Sequence, residues 1–257
     1  MNPTSPTPDS LSQRPVVSAP IASVPLRALR SWSASRHVWL HGAAIPLALA
    51  LFAWLASHSG FDQAVSDFFY DATLTRFPAH DSFWLELLGH RVAKAAIWIL
   101  AAGMFAAAIG VGRTWPAANE RHALWVALLA MALGPLIVYL LKQTTGHHCP
   151  WDLKAYGGFA EYSFDWFVTT TNAGHCFPSG HASAGYSLIA LGFLGHAIDR
   201  PVLARTGFIA AIVLGTAYGA IRVMQGAHFV SHNLWAAAID WWAAALVFTP
   251  LLLAHRR

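Results

Sequence analysis

Apolar, almost uncharged runs of 18 residues or more recur along this chain. In a hydrocarbon layer every backbone N–H and C=O must find its partner within the protein, so runs of this length are read as membrane-crossing helices. Only 11% of the residues are charged, about half the share usual for soluble domains. A soluble all-helical enzyme of 257 residues would have too little interior to bury such runs. The expectation is therefore an all-α polytopic membrane protein. Six spans are placed near residues 38–57, 92–112, 123–142, 182–198, 206–223 and 233–254, forming one six-transmembrane-helix bundle over 37–257. No internal repeat or second domain is visible.

Residues 1–36 are rich in Pro, Ser and Thr and lack hydrophobic periodicity, which predicts a disordered tail. No charged segment leads into an early apolar run, so no cleaved signal peptide is expected. Lys and Arg set the orientation. With the N-terminus inside, ten of them fall on inner segments (Arg14, Arg27, Arg30, Arg36, Arg113, Arg121, Arg200, Arg205, Arg256 and Arg257) and six on outer ones (Arg76, Arg91, Lys94, Lys142, Lys154 and Arg222). Both termini are then cytoplasmic, and loops 58–91 and 143–181 face outward. Loop 58–91 mixes Phe61, Phe68, Phe69, Phe77, Phe83 and Trp84 with Asp62, Asp67, Asp71 and Asp81. That pattern fits a segment lying in the membrane interface or a packed outer cap. The formal net charge of +4 does not imply a nucleic-acid partner, because the basic residues scatter over segment ends and build no basic face.

Three stretches at outer span ends carry candidate chemistry. His175-Cys176-Phe177-Pro178-Ser179-Gly180-His181-Ala182-Ser183 leads from the second outer loop into the fourth span. Ser179 and the backbone from Gly180 stand at a helix start, where unpaired N–H groups favour an anion, and His181 adjoins them. Lys142 ends the third span ahead of Gln143-Thr144-Thr145-Gly146-His147-His148-Cys149-Pro150; alone it reads equally as a snorkelling anchor. Arg222 lies near the end of the fifth span, followed by His228 and, four residues on, His232. Ionisable groups at membrane depth are costly and mark function, although each histidine alone reads as an interfacial residue bonded to backbone. Together these residues make a cationic pocket with two imidazoles. Such a pocket suits phosphoryl transfer, with one histidine attacking phosphorus and the other protonating the leaving oxygen.

Lys142-x6-x-Pro150, Pro178-Ser179-Gly180-His181 and Arg222-x5-His228, in this order, resemble the three signature motifs of the type 2 phosphatidic acid phosphatase (PAP2) superfamily. That family holds integral-membrane lipid phosphatases and soluble vanadium haloperoxidases. The resemblance implies that Lys142, Arg222, Ser179 and the Gly180 backbone bind phosphate oxygens. It implies His181 as general acid and His228 as the nucleophile that becomes a phosphohistidine, with no metal or cofactor required. The substrate would be a phosphomonoester or diphosphate on a membrane lipid; the Lys and Arg distribution puts the site on the outer side, and the compactness of the chain suggests a bacterial origin, which makes that side the periplasmic face of an inner membrane. A lipid phosphotransferase would use the same residues.

Three positions depart from the family pattern. Cys149 replaces the motif Arg, Ile221 replaces the motif Ser, and His232 replaces the Asp that orients the nucleophile. A neutral His232 accepts a hydrogen bond but supplies no negative charge, which leaves Asp152, Glu161 or Asp165 as possible suppliers. Asp240 shares the His232 face but lies eight residues of helix away, about 12 Å. Two other readings stay open. His147, His148, Cys149, His175, Cys176, His181, His228 and His232 form a dense set of Zn or Cu donors. A protein that binds phospholipid without turnover is the second. If the motifs converge, Cys149 and Cys176, the only cysteines, come together on the outward face, where a disulfide persists in an oxidising compartment. Two buried thiols are the alternative.

Overall fold

The computed structural model describes residues 36–110, 117–163, 166 and 173–254. The predicted disordered tail, Arg36 apart, and Asp165 lie outside these residues. Among the described residues the chain forms nine α-helices and, apart from two isolated bridges, no β-structure. They are α1 (Arg36–His58, with a π-helical turn at Leu40–Ala44), α2 (Phe61–Phe69), α3 (Phe83–Glu86), α4 (Ala93–Ala108), α5 (Ala118–Thr144), α6 (Gly180–Tyr186), α7 (Ile189–Ala197), α8 (Pro201–Met224) and α9 (Val230–Ala254). Two 3₁₀ turns, Pro150–Asp152 and Lys154–Tyr156, shape the loop that follows α5.

Four helices are long and apolar enough to cross a membrane: Arg36–His58, Glu120–Thr144, Pro201–Met224 and Val230–Leu253. The other two predicted spans differ from expectation. The second, placed over 92–112, is α-helical over Ala93–Ala108, follows on from a π-helical stretch at Leu87–Val92, and stops before Gly110, whose φ of 82° is the left-handed conformation that commonly ends a helix. The fourth, placed over 182–198, is a pair, α6 and α7. Here the Ser187 hydroxyl donates back to the Ala184 carbonyl at 2.8 Å, while Leu188 and Ala190 N–H make short-range bonds to Gly185 and Ser187 carbonyls. A hydroxyl that competes for helix carbonyls, together with a 3₁₀-type tightening, interrupts a run that hydropathy alone reads as continuous.

α9 lies at the centre, packed against α1, α5, α6, α7 and α8, and it is the most buried of the four long helices. Its interior faces carry Ala236, Ala237, Ala244, Ala245 and Phe248. α8 turns a stripe of Ala204, Gly207, Ala211, Gly215 and Gly219 inward. Small residues at this spacing let backbones approach, the usual way for helices to associate where lipid is as apolar as leucine. A Cβ on Gly185 of α6 would meet the Gly215 backbone at 2.5 Å.

Loop 58–91 packs as a cap, with several of its aromatic rings left exposed. Phe77, Leu153, Tyr156, Ala160 and Phe229 form a separate small core beneath it. Phe77 is 2% exposed, whereas Phe68, Phe83 and Trp84 are 81%, 66% and 66% exposed. The Phe77 ring fills the space beside Gly226 where any side chain would collide, and Gly226 has φ 72°. Only glycine meets both demands at the α8–α9 turn.

Candidate functional site

The end of α5 delivers Lys142, and the chain after it is bound to the loop before α6. The Thr145 hydroxyl donates to the Phe177 carbonyl at 2.6 Å, and Cys176 N–H donates to the His147 carbonyl at 2.9 Å. At Gly174 a side chain would strike the backbone of His147 and His148. Cys149 and Cys176 are joined by a disulfide, with Cα atoms 5.3 Å apart. Trp151 N–H donates to the Gly226 carbonyl at 3.0 Å, tying the same stretch to the α8–α9 turn.

Ser179 N–H donates to the His232 carbonyl at 3.1 Å, which docks the start of α6 on α9. The Ser179 hydroxyl caps α6, accepting from Ala182 N–H at 3.4 Å. His181 follows on the first turn. Its ring centroid is 6.3 Å from that of His228. His228 sits in the turn between α8 and α9 and His232 on the first turn of α9; each is 2% exposed. Their Nδ1 atoms are 3.5 Å apart. His147 stacks on Phe177 and meets His232 edge-on at 5.8 Å.

The structure thus gathers Lys142, His181, Arg222 and His232 around His228. Burial first, and then the charges of His232, Lys142, His181 and Arg222, hold the His228 imidazolium well below its ordinary pKa of 6.5. His228 is therefore a neutral imidazole near pH 7, the form with a lone pair to offer. Arg222 donates from Nη1 to Gln225 Oε1 at 2.8 Å, and its guanidinium lies 5.7 Å from the Trp151 ring centroid. The same Nη1 is 3.7 Å from Glu86 Oε2. The Arg222 Nε–H is buried and has no acceptor among the described residues.

Two of the carboxylates offered in place of the motif Asp, Asp152 and Glu161, are engaged elsewhere. Asp152 accepts from Cys149 N–H at 3.3 Å, and Glu161 pairs with Lys154 at 2.7 Å. Asp240 is buried deeper in α9, pressed against Gly134 of α5 and facing the Ser183 hydroxyl. Of the eight possible metal donors, Cys176, His228 and His232 bring one ligand atom each within 4.8 Å of one another. His175 is exposed and meets the Lys142 carbonyl at 3.0 Å, and His148 packs on Phe159.

Two acidic residues escaped the sequence reading. Asp62, on α2, is 1% exposed and accepts from Ser231 N–H at 2.9 Å and from the Ser231 hydroxyl at the first turn of α9. Burial pushes its carboxyl up, against the opposing pull of those bonds. Glu86, at the end of α3, reaches Arg222. Neither belongs to a motif, and each partner lies more than a hundred residues away, so no local spacing signals the contact.

Comparison with curated proteins found no match, and comparison with solved structures found none. The family model of the PAP2 superfamily matches residues 123–253, just over half of the chain.

Proposed function

This chain belongs to the PAP2 superfamily, and from that premise we propose a membrane lipid phosphatase that works through a phosphohistidine on His228. The observation that carries the reading is the convergence of Lys142, His181, Arg222 and His232 on a buried, neutral His228. The lone pair of His228 attacks phosphorus, and the bond from phosphorus to the lipid oxygen breaks. His181 gives its proton to that oxygen. Water then attacks the phosphohistidine, His181 takes a proton from it, and inorganic phosphate leaves with His228 restored. Lys142 and Arg222 meet the charge on the phosphoryl oxygens, where preorganised donors in a partly dry site contribute most. The unpaired Arg222 Nε–H supports that role, since a buried donor without an acceptor is costly until a ligand supplies one. Ser179 and the Gly180 backbone add donors at the start of α6. The close approach of the His228 and His232 Nδ1 atoms supports His232 as the group that orients the nucleophile.

The reading extends to six spans, with α4 as the second and the α6–α7 pair as the fourth, both termini cytoplasmic and the site facing the periplasm of a bacterial inner membrane. The Lys and Arg distribution supports that orientation. The test is phosphate release by purified protein from phosphatidic acid, phosphatidylglycerol phosphate, undecaprenyl diphosphate and lipid A phosphates, with and without chelator. Turnover that survives chelation and disappears in His228→Ala is expected. Full activity in His228→Ala would remove the nucleophile from this residue.

A further inference from the structure

The disulfide brings one of its sulfurs to the candidate nucleophile. Cys176 Sγ stands 3.5 Å from His228 Nδ1, and His228 Nδ1 stands 3.5 Å from His232 Nδ1. A tetrahedral Zn²⁺ sets its nitrogen–nitrogen edges at about 3.3 Å and its sulfur–nitrogen edges at about 3.6 Å. Two edges of a zinc-sized tetrahedron are therefore present, and Cys176, His228 and His232 each offer a ligand atom within 4.8 Å of the others'. Cys176 is fully buried and both histidines nearly so, which gives a closed, water-poor setting for a thiolate and two imidazoles. While the bridge is intact its sulfur is spent on Cys149 and is a poor ligand.

We propose that Cys176, His228 and His232 form a Zn²⁺ site that opens only when the Cys149–Cys176 bridge is reduced, and that zinc bound there silences His228. A dithiol or a phosphine is the reductant. With a trialkylphosphine, the disulfide and one water become two thiols and a phosphine oxide. The half-buried Cys149 gives the reductant its approach. The freed Cys176 thiol has the Ala227 carbonyl 2.9 Å away as an acceptor. Zinc replaces that contact: the thiol proton leaves to solvent and sulfur binds the metal as thiolate. The neutral His228 coordinates through Nδ1, so its proton must sit on Nε2. An imidazole in that state has no lone pair left to attack phosphorus. Inhibition follows from tautomer and coordination, without blocking the phosphate pocket. Zinc binding stands apart from the function proposed above; the loss of turnover rests on it.

Full-length protein in detergent, first stripped of metal, decides the matter in four forms. These are oxidised wild type, phosphine-reduced wild type, unreduced Cys149→Ser, and the Cys149→Ser/Cys176→Ser double variant. Each is equilibrated with Zn²⁺, desalted and counted for metal, and Co²⁺ substitution is followed by its thiolate charge-transfer absorption. About one zinc per chain is expected in the reduced and Cys149→Ser proteins, and at least roughly tenfold weaker binding in the other two. Cys149→Ser needs no reductant, because it leaves Cys176 unbridged. Equal zinc in the oxidised protein, or zinc retained by the double variant, would overturn the site. Reduced wild type without zinc would do so too, whatever the folding of the variants. If zinc binds but phosphate release continues unchanged, the silencing of His228 is refuted. A protein without phosphatase activity would refute the function instead, with the metal count still deciding the site.

Discussion

Burial keeps His228 as a neutral imidazole at pH values where an exposed histidine would already carry a proton. Neutral imidazole is the attacking form, so kcat/KM should hold steady below pH 6.5 and fall only as pH drops through the depressed pKa. The same shift has a stability sign. Above pH 6.5 both folded and unfolded chains keep this histidine neutral. Below it the unfolded chain takes up a proton that the folded chain refuses, so stability is lost as pH falls towards the folded pKa. A pH–rate profile centred at or above 6.5 for the acid limb would contradict the assignment. His232→Asp places a negative charge beside His228, which should move that limb upward and leave turnover equal or raised. Of the individual residues, Lys142, Ser179, His181, Arg222 and His228 were legible from motif order. Asp62 and Glu86 were not, because each meets a partner more than a hundred residues away that only the packing of helices brings near.

The helices were legible as apolar runs, yet their interruptions were not. A hydropathy window does not register that Ser187 bonds back to Ala184, so the break between α6 and α7 is invisible to it. The ties between elements carry more of the site than the helices themselves do. Asp62 fastens α2 to the first turn of α9, where a carboxylate is well placed against the helix dipole. Asp62→Ala leaves the buried Ser231 N–H and hydroxyl without an acceptor and should cost about 1–3 kcal/mol. A fall in thermal midpoint, together with lower kcat from a displaced His232, is the expected result. An unchanged midpoint would show that the tie is idle. Gly185→Ala tests a second junction. Its new methyl meets the Gly215 backbone at 2.5 Å, so α6 must move off α8 and carry His181 with it. Loss of activity exceeding the loss of stability is expected, measured as kcat against thermal midpoint.

Across the whole molecule, charge is arranged so that the proposed phosphate pocket already contains a carboxylate of its own. A chain with formal net charge +4 aims two of its cations at one small volume, yet Arg222 is not left facing only cations. Glu86 comes within 3.7 Å of it, on a side chain that is 42% exposed and carried by a helical segment that runs on through Leu87–Val92 into α4. That carboxylate is a tethered rival to any anion arriving from solution. Released phosphate must then outcompete a neighbour that never diffuses away. Product inhibition should accordingly be weak in the wild type and several-fold stronger in Glu86→Gln, read as the inhibition constant for inorganic phosphate. A long-chain lipid phosphate escapes this handicap, because its tail holds it in the bilayer beside the pocket while the free ion has no such hold. On the function proposed above, Glu86 then sets a direction for the exchange, favouring the anchored anion over the unanchored one.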